Sequence, residues 1–240
     1  MNIAIIICDH VDAPFNQQFG EYSDMFVNAL NALQTDLHFV YFDALQRQLP
    51  APDTDVDGYI ITGSRHNAYD NDPWIVELVQ WVRQADQHQL NVAGICFGHQ
   101  LVARALGAQV KKSDKGWGLG SALVQINERP AWLSNVPETL RVWVSHQDQV
   151  TSCPPGCSVV ASSDFCPYFM LAKQSHIFTV QGHPEFQQDY TQILLDRHAG
   201  QLPAHASIEQ LQTSMNKPVD SEVVLRWILA LFSSANTSPA

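Results

Sequence analysis

Near its start the chain carries an unbroken apolar run, "IAIIIC" from Ile3 to Cys8, rich in β-branched residues. Such a run predicts a strand covered on both faces, since an exposed face would place a polar residue at every second position. From about Phe19 to Leu33 the spacing changes, and Tyr22, Met25, Phe26, Leu30 and Leu33 recur at helical intervals. "LHFVYF" predicts a second strand, and "GYIITGS" a third that ends in a turn at Gly63 and Ser64. Pro73 suits a first helical turn and opens a helix carrying Trp74, Ile75, Leu78, Val79, Trp81 and Val82. "LNVAGIC" predicts the fourth strand, followed by a helix through Gln100, Leu101, Ala103 and Leu106 that Gly107 ends.

Strand and helix thus alternate four times in roughly the first hundred residues, which predicts an α/β protein with three layers, a mostly parallel central sheet covered by helices on both faces. The middle of the chain reads differently. "GSALVQI", "TLRVWVSH", "CSVVASS", "YFMLAK" and "IFTVQGH" are short strand-like runs with little helical pattern between them, and predict a smaller antiparallel or mixed extension of the sheet. Helices return at about Gln187 to His198 and Ser221 to Phe232. The tail "SSANTSPA", from about residue 233, has no core formers and is expected to fray. No internal repeat and no Gly/Ser- or Pro-rich linker divides the chain, so residues 1–240 are expected to form a single domain.

Composition narrows the function. With 45% hydrophobic residues in 240, the chain can bury a proper core. Its formal charge, 13 − 24 = −11, argues against nonspecific attraction to nucleic acid or anionic lipid, and the lone basic cluster of Lys111, Lys112 and Lys115 is too small to reverse that. No apolar run approaches the length that spans a bilayer, and "MNIAIIICDH" has neither the basic leader nor the cleavage site of a signal peptide. The odd count of five cysteines does not suggest a disulfide framework, so a reducing cytoplasm is the expected location. Cys153 and Cys157 have no further ligands spaced for zinc, and no metal or organic cofactor is expected. "KKSDKGWGLG" lacks the order of a phosphate loop and reads as a turn at a pocket rim, with Trp117 placed to pack on substrate or partner.

The candidate chemistry begins with "GICFGHQ". Cys96 falls between an apolar strand and a helix start, in the Gly-x-Cys-x-Gly form of a nucleophile elbow written with cysteine. A helix N-terminus behind the sulfur favours thiolate over thiol. By itself the motif fits a small packed sulfur as well as a nucleophile. A thiol nucleophile needs a base, and the base an orienter. "FTVQGHPEF" offers both at another strand end, in His183 and Glu185, and Pro184 between them excludes a regular helix. His99 and His146 lie near the same segments without an adjacent orienter. Arg65, His66 and Asp70, after the Gly63–Ser64 turn, read as a solvated loop or as substrate selectors.

Together "GICFGHQ" and "QGHPEF" resemble the class I (triad) glutamine amidotransferases. "VSHQD" at Val144 to Asp148 is similar to a stretch of the GMP synthase amidotransferase domain, and "ITGSRHNAYD" and "DPW" are similar to free-standing γ-glutamyl peptidases. The resemblance runs from about residue 3 to 195 and implies the flavodoxin-like fold of that family. It implies Cys96 as nucleophile, His183 as general base and acid, and Glu185 as orienter. It further implies an oxyanion hole from the backbone N–H of Phe97 with that of Gly63 or Ser64, and substrate contacts at Gln100, Ser145, His146 and Asp148. The implied reaction is hydrolysis of the glutamine side-chain amide, or of another γ-glutamyl amide, through a thioester on Cys96. The partners implied are a small-molecule substrate and, in one alternative, a separate synthetase subunit; the others are an independent γ-glutamyl hydrolase and a non-catalytic binding module. The chain departs from the family at Thr62-Gly63-Ser64-Arg65, where many members have Gly-Gly-Pro, and at Gln147, where the GMP synthase-like stretch has Gly.

Overall fold

The computed structural model describes residues 1–51, 53–202 and 207–233. Most of the tail expected to fray lies outside the described residues. Strand β1 (Asn2–Ile7) leads into helices α1 (Phe15–Phe19) and α2 (Tyr22–Asn31). Strands β2 (His38–Asp43) and β3 (Gly58–Ile61) follow with only a short 3-10 turn at Ala44–Gln46 after β2, where the sequence reading expected strict alternation. Then come α3 (Pro73–Gln87), β4 (Val92–Ile95) and α4 (Phe97–Ala105). Then follow β5 (Val110–Lys112), β6 (Gly118–Ile126), β7 (Thr139–His146), β8 (Asp148–Val150), β9 (Ser158–Ser162), β10 (Met170–Lys173) and β11 (Ile177–Val180). The chain closes with helices α5 (Gln188–His198), α6 (Ile208–Met215) and α7 (Ser221–Ser233).

Among the described residues, nine strands form one sheet in the order β2-β1-β3-β4-β11-β10-β9-β6-β7. The half from β2 to β11 is parallel. The half from β11 to β7 is antiparallel, so the extension read from the sequence continues the same sheet. The all-apolar strands do what their pattern demands: alternate side chains enter opposite cores. Ile3, Ile5 and Ile60 pack with Phe26 of α2 and Trp227 and Phe232 of α7 on one face. Ala4, Ile6, Tyr59 and Ile61 pack with α3 and α4 on the other.

Three differences from the sequence reading have physical causes. The helix expected from Phe19 begins at Tyr22, because Gly20 sits at φ +75° and Glu21 with Asp24 forms a reciprocal capping box. Lys111 and Lys112, read as part of a turn, belong to β5, which pairs with β8 in a separate two-stranded ribbon. Helix α6 went unread because only one of its residues, Met215, is buried; its signal is Ser207, whose side chain accepts from Gln210 N–H as an N-cap.

Close packing between β4 and α4 explains the glycines flanking Cys96. A side-chain carbon at Gly98 would come within 2.3 Å of the Ile61 carbonyl oxygen, and one at Gly94 within 2.7 Å of the Gly98 oxygen. Both obstacles are backbone atoms and cannot swing aside. Gly98→Ala is therefore expected to lower unfolding stability by about 1–3 kcal/mol, the usual cost of overpacking. Urea titration checks this, and an unchanged midpoint would show that β3 and α4 separate freely.

Candidate active site

Parallel topology gathers three strand ends side by side. β3, β4 and β11 are neighbours in the sheet, and the chain leaves their carboxyl ends at Gly63, Cys96 and His183 respectively. Crevices at such ends are where open α/β sheets bind ligands. Here they open into a cavity of about 380 Å³, whose lining includes Gly63, Ser64, Cys96, Gln100, Ser145, His146, Asp148 and His183. Of the residues singled out in the sequence, Phe97 and Glu185 stand just behind that surface, both buried.

Cys96 is the N-cap of α4, with φ +51° and ψ −100°. Positive φ in a non-glycine residue is costly and persists only where the surroundings enforce it. Here Cys96 N–H donates to Val180 O of β11 at 2.9 Å, and Cys96 O accepts from Gln100 N–H at 3.0 Å, so the residue is clamped between sheet and helix. Cys96 is 6% exposed and borders the cavity.

His183 is fixed from several directions. Its backbone N–H donates to Trp143 O at 2.8 Å, its Nδ1 lies 2.8 Å from Glu185 Oε1, and its ring stacks on Phe186 with centroids 3.9 Å apart and planes 6° apart. Nδ1 is thereby occupied, leaving Nε2 for the Cys96 sulfur. Burial alone would lower the imidazole's pKa; its electrostatic and hydrogen-bond interactions with Cys96 and Glu185 outweigh that and raise the value to about 10. Gly63 fits under the imidazole, since a side-chain carbon there would lie 2.9 Å from His183 Cε1.

The remaining residues divide sharply. Gln100 turns its amide inward, donating to Asp148 O at 2.9 Å and Gln181 Oε1 at 3.1 Å. His146 Nδ1 lies 3.1 Å from the same Asp148 carbonyl and must donate to it. Burial raises the pKa of the Asp148 carboxyl, 3.5 Å from Tyr69 Oη. His99 is placed elsewhere: it is fully buried against Thr179 Oγ1 at 2.8 Å and does not border the cavity. The loop after Gly63–Ser64 is held rather than freely solvated. Asp9 accepts from Arg65 N–H at 2.7 Å and from Arg65 Nε at 2.9 Å, while Arg65 Nη1 reaches Asp12 at 2.8 Å. Trp117 stands at the rim as expected, stacked on His198 with centroids 3.9 Å apart.

Sequence reasoning missed Gln181, Phe186 and Asp9. Gln181 and Phe186 stand in the same "VQGHPEF" run that supplied His183 and Glu185, and Asp9 follows the end of β1 as Cys96 follows β4. Position at a strand end was the available signal. Among the described residues no cluster of His, Cys, Asp and Glu could hold a metal ion, and no helix is long and apolar enough to cross a membrane.

A three-layer α/β fold with a strained cysteine elbow, facing a histidine–carboxylate pair across a cleft, defines a class of protein that known families fill. The model of the class I glutamine amidotransferase family matches residues 18–196, and the chain belongs to that family. It is 32% identical to γ-glutamyl peptidase 3 of Arabidopsis thaliana over 189 residues, 75% of this chain and 74% of the relative. It is 30% identical to a glutamine-hydrolysing GMP synthase component of Halobacterium salinarum, over 67% of this chain and 83% of the relative. A glutamine amidotransferase of Thermotoga maritima shares the fold with a TM-score of 0.72 at 19% identity, covering 98% of this chain and 96% of the other.

Two buried histidines, His146 at the cavity and His99 away from it, are expected to make the fold acid-sensitive. Burial lowers the pKa of His99 to about 3 and of His146 to about 4. Unfolded, each would take a proton near pH 6.5. Between about pH 6.5 and 4 the unfolded chain therefore binds more protons, and stability falls as pH falls. Each histidine is expected to remove about 1–2 kcal/mol between pH 7 and 5. Urea midpoints across that range check this, and His99→Gln should roughly halve the slope.

Proposed function

We propose that this protein hydrolyses a γ-glutamyl amide bond through a thioester on Cys96. The observation that carries the reading is Cys96, strained at the head of α4, beside a His183 whose far nitrogen is held 2.8 Å from Glu185. In this reading the Cys96 thiolate attacks the γ-carbonyl carbon. Oxyanion charge is met by the backbone N–H groups of Phe97 and of Gly63 or Ser64, the type of preorganised donor that contributes most in acyl transfer. His183, as imidazolium, gives its proton to the departing nitrogen as the C–N bond breaks, leaving a γ-glutamyl thioester. It then takes a proton from water, which attacks the thioester; the C–S bond breaks, its electron pair returns to sulfur, and glutamate leaves. Glu185 holds the imidazole's tautomer and orientation throughout. Gln100, Ser145, His146 and Asp148 form the wall that receives the glutamyl moiety, where Asp148 supplies a carboxylate suited to its α-ammonium group. Such a thiol suits a reducing cytoplasm.

The size of the cleft favours a leaving group larger than ammonia. Its 380 Å³ falls in the range of pockets that enclose drug-sized ligands, and its lining also includes Tyr22, Trp117, Leu194, Arg197 and His198. Small γ-glutamyl peptides are therefore proposed as substrates alongside glutamine. The likeness to γ-glutamyl peptidases is consistent with that reading, and the likeness to a GMP synthase component supports the alternative, in which a separate synthetase subunit receives the ammonia.

Glutamate release by the purified chain, from glutamine and from γ-glutamyl dipeptides, tests these readings. Cys96→Ala should abolish release from both, and Glu185→Gln should reduce kcat by about 100-fold or more with the fold intact. Turnover that survives Cys96→Ala would refute the thioester route. Glutamine hydrolysis that appears only with an added synthetase would favour the alternative.

A further inference from the structure

We infer that Gln181 is a further catalytic residue, whose side-chain amide donates a hydrogen bond to the Cys96 sulfur in its anionic form. The inference rests on the reading of Cys96 as the nucleophile. Gln181 follows β11, two residues before His183, and is fully buried. Its Nε2 lies 3.5 Å from Cys96 Sγ.

The direction of the amide is set by its neighbours. The backbone carbonyl of Asp148 can only accept, so the Gln100 atom facing it at 2.9 Å is the NH2 group. That NH2 turns its second hydrogen to Gln181 at 3.1 Å, and the facing atom of Gln181 must then be its carbonyl oxygen. The NH2 of Gln181 is left pointing at the sulfur. Gln100 thus donates both ways, back to Asp148 and forward to Gln181, and the Asp148 carbonyl, which can only accept, fixes the direction of each link out to Cys96. Gln100, which reaches the sulfur only through Gln181, is a positioning residue.

This donor acts beside the histidine. The sulfur is charged before attack and again as the thioester breaks, when His183 is the imidazolium; the neutral Gln181 amide adds a second donor whose capacity does not change as the proton moves. In the thioester the sulfur carries no charge and is a poor acceptor. As water's attack breaks the C–S bond and the electron pair returns to sulfur, the amide meets the charge that reappears. Hydrogen bonds to charged groups are worth about 10- to 100-fold in an equilibrium.

The test is the pH dependence of Cys96 alkylation by iodoacetamide, followed by mass spectrometry on the full chain, beside glutamate release. Gln181→Met keeps the volume and removes the donor without adding a charge; Gln100→Leu leaves Gln181 in place and removes what orients it. The acid limb of the alkylation profile is expected to move upward by about one pH unit in Gln181→Met, a loss of about 10-fold at pH 6, and by less in Gln100→Leu. The acid limb of kcat/KM should move with it. Profiles that superimpose on wild type for both folded variants, judged by circular dichroism, would overturn the role of Gln181 while leaving Cys96 as nucleophile. Wild-type protein that is neither alkylated at Cys96 nor releases glutamate would overturn both.

Discussion

The parallel pairing of β4 with β11 is the constraint on which the site depends. It ends with Cys96 N–H donating to Val180 O at 2.9 Å, one residue beyond the last apolar position of β4. That bond fixes how far the elbow cysteine stands from the segment carrying Gln181, His183 and Glu185. Because β3 pairs with the other side of β4, the Gly63–Ser64 turn is carried to the same edge. A slip of one residue in either register would turn the side chains to the opposite face. The continuous apolar character of β3, β4 and β11, buried on both sides, holds the register through two hydrophobic cores at once.

Strain and close approach are concentrated at the same point. Cys96 is held at positive φ, and the glycines two residues to either side let α4 lie against Gly94 and Ile61 more tightly than any side chain would allow. The surrounding groups are correspondingly overdetermined. The His183 ring has a carboxylate on one edge and an aromatic face against its plane, and the Arg65–Asp9 pair pins the turn on the opposite side. Rigid scaffolding of this kind is what precise placement of a thiol, an imidazole and backbone donors requires.

Much of this was legible in the residues because it depends on local pattern. β1, β3 and β4 show as runs too apolar to have a wet face, α3 opens at Pro73, and Gly107 follows α4 at φ +100°. The elbow shows as two glycines around a cysteine, and His183 with Glu185 as a pair across a proline. What escaped was structure held by distant partners. β5 and β8 are three residues each, too short to display a period, and exist because they pair with each other. The amide chain through Gln100 and Gln181 has no sequence signature, since its links join residues far apart in the chain.

The sequence by itself determined the layered α/β architecture, the antiparallel extension and the chemical types gathered at the site, because burial on both faces, helical period and turn residues are properties of short segments. Only the tertiary structure decided which strand ends meet, that Arg65 is bound by Asp9, that His99 faces Thr179 away from the cleft, and that the amide of Gln181 points at the sulfur of Cys96. Those outcomes follow from strand order and register, which depend on the simultaneous fit of segments remote in sequence, and no single segment carries that information.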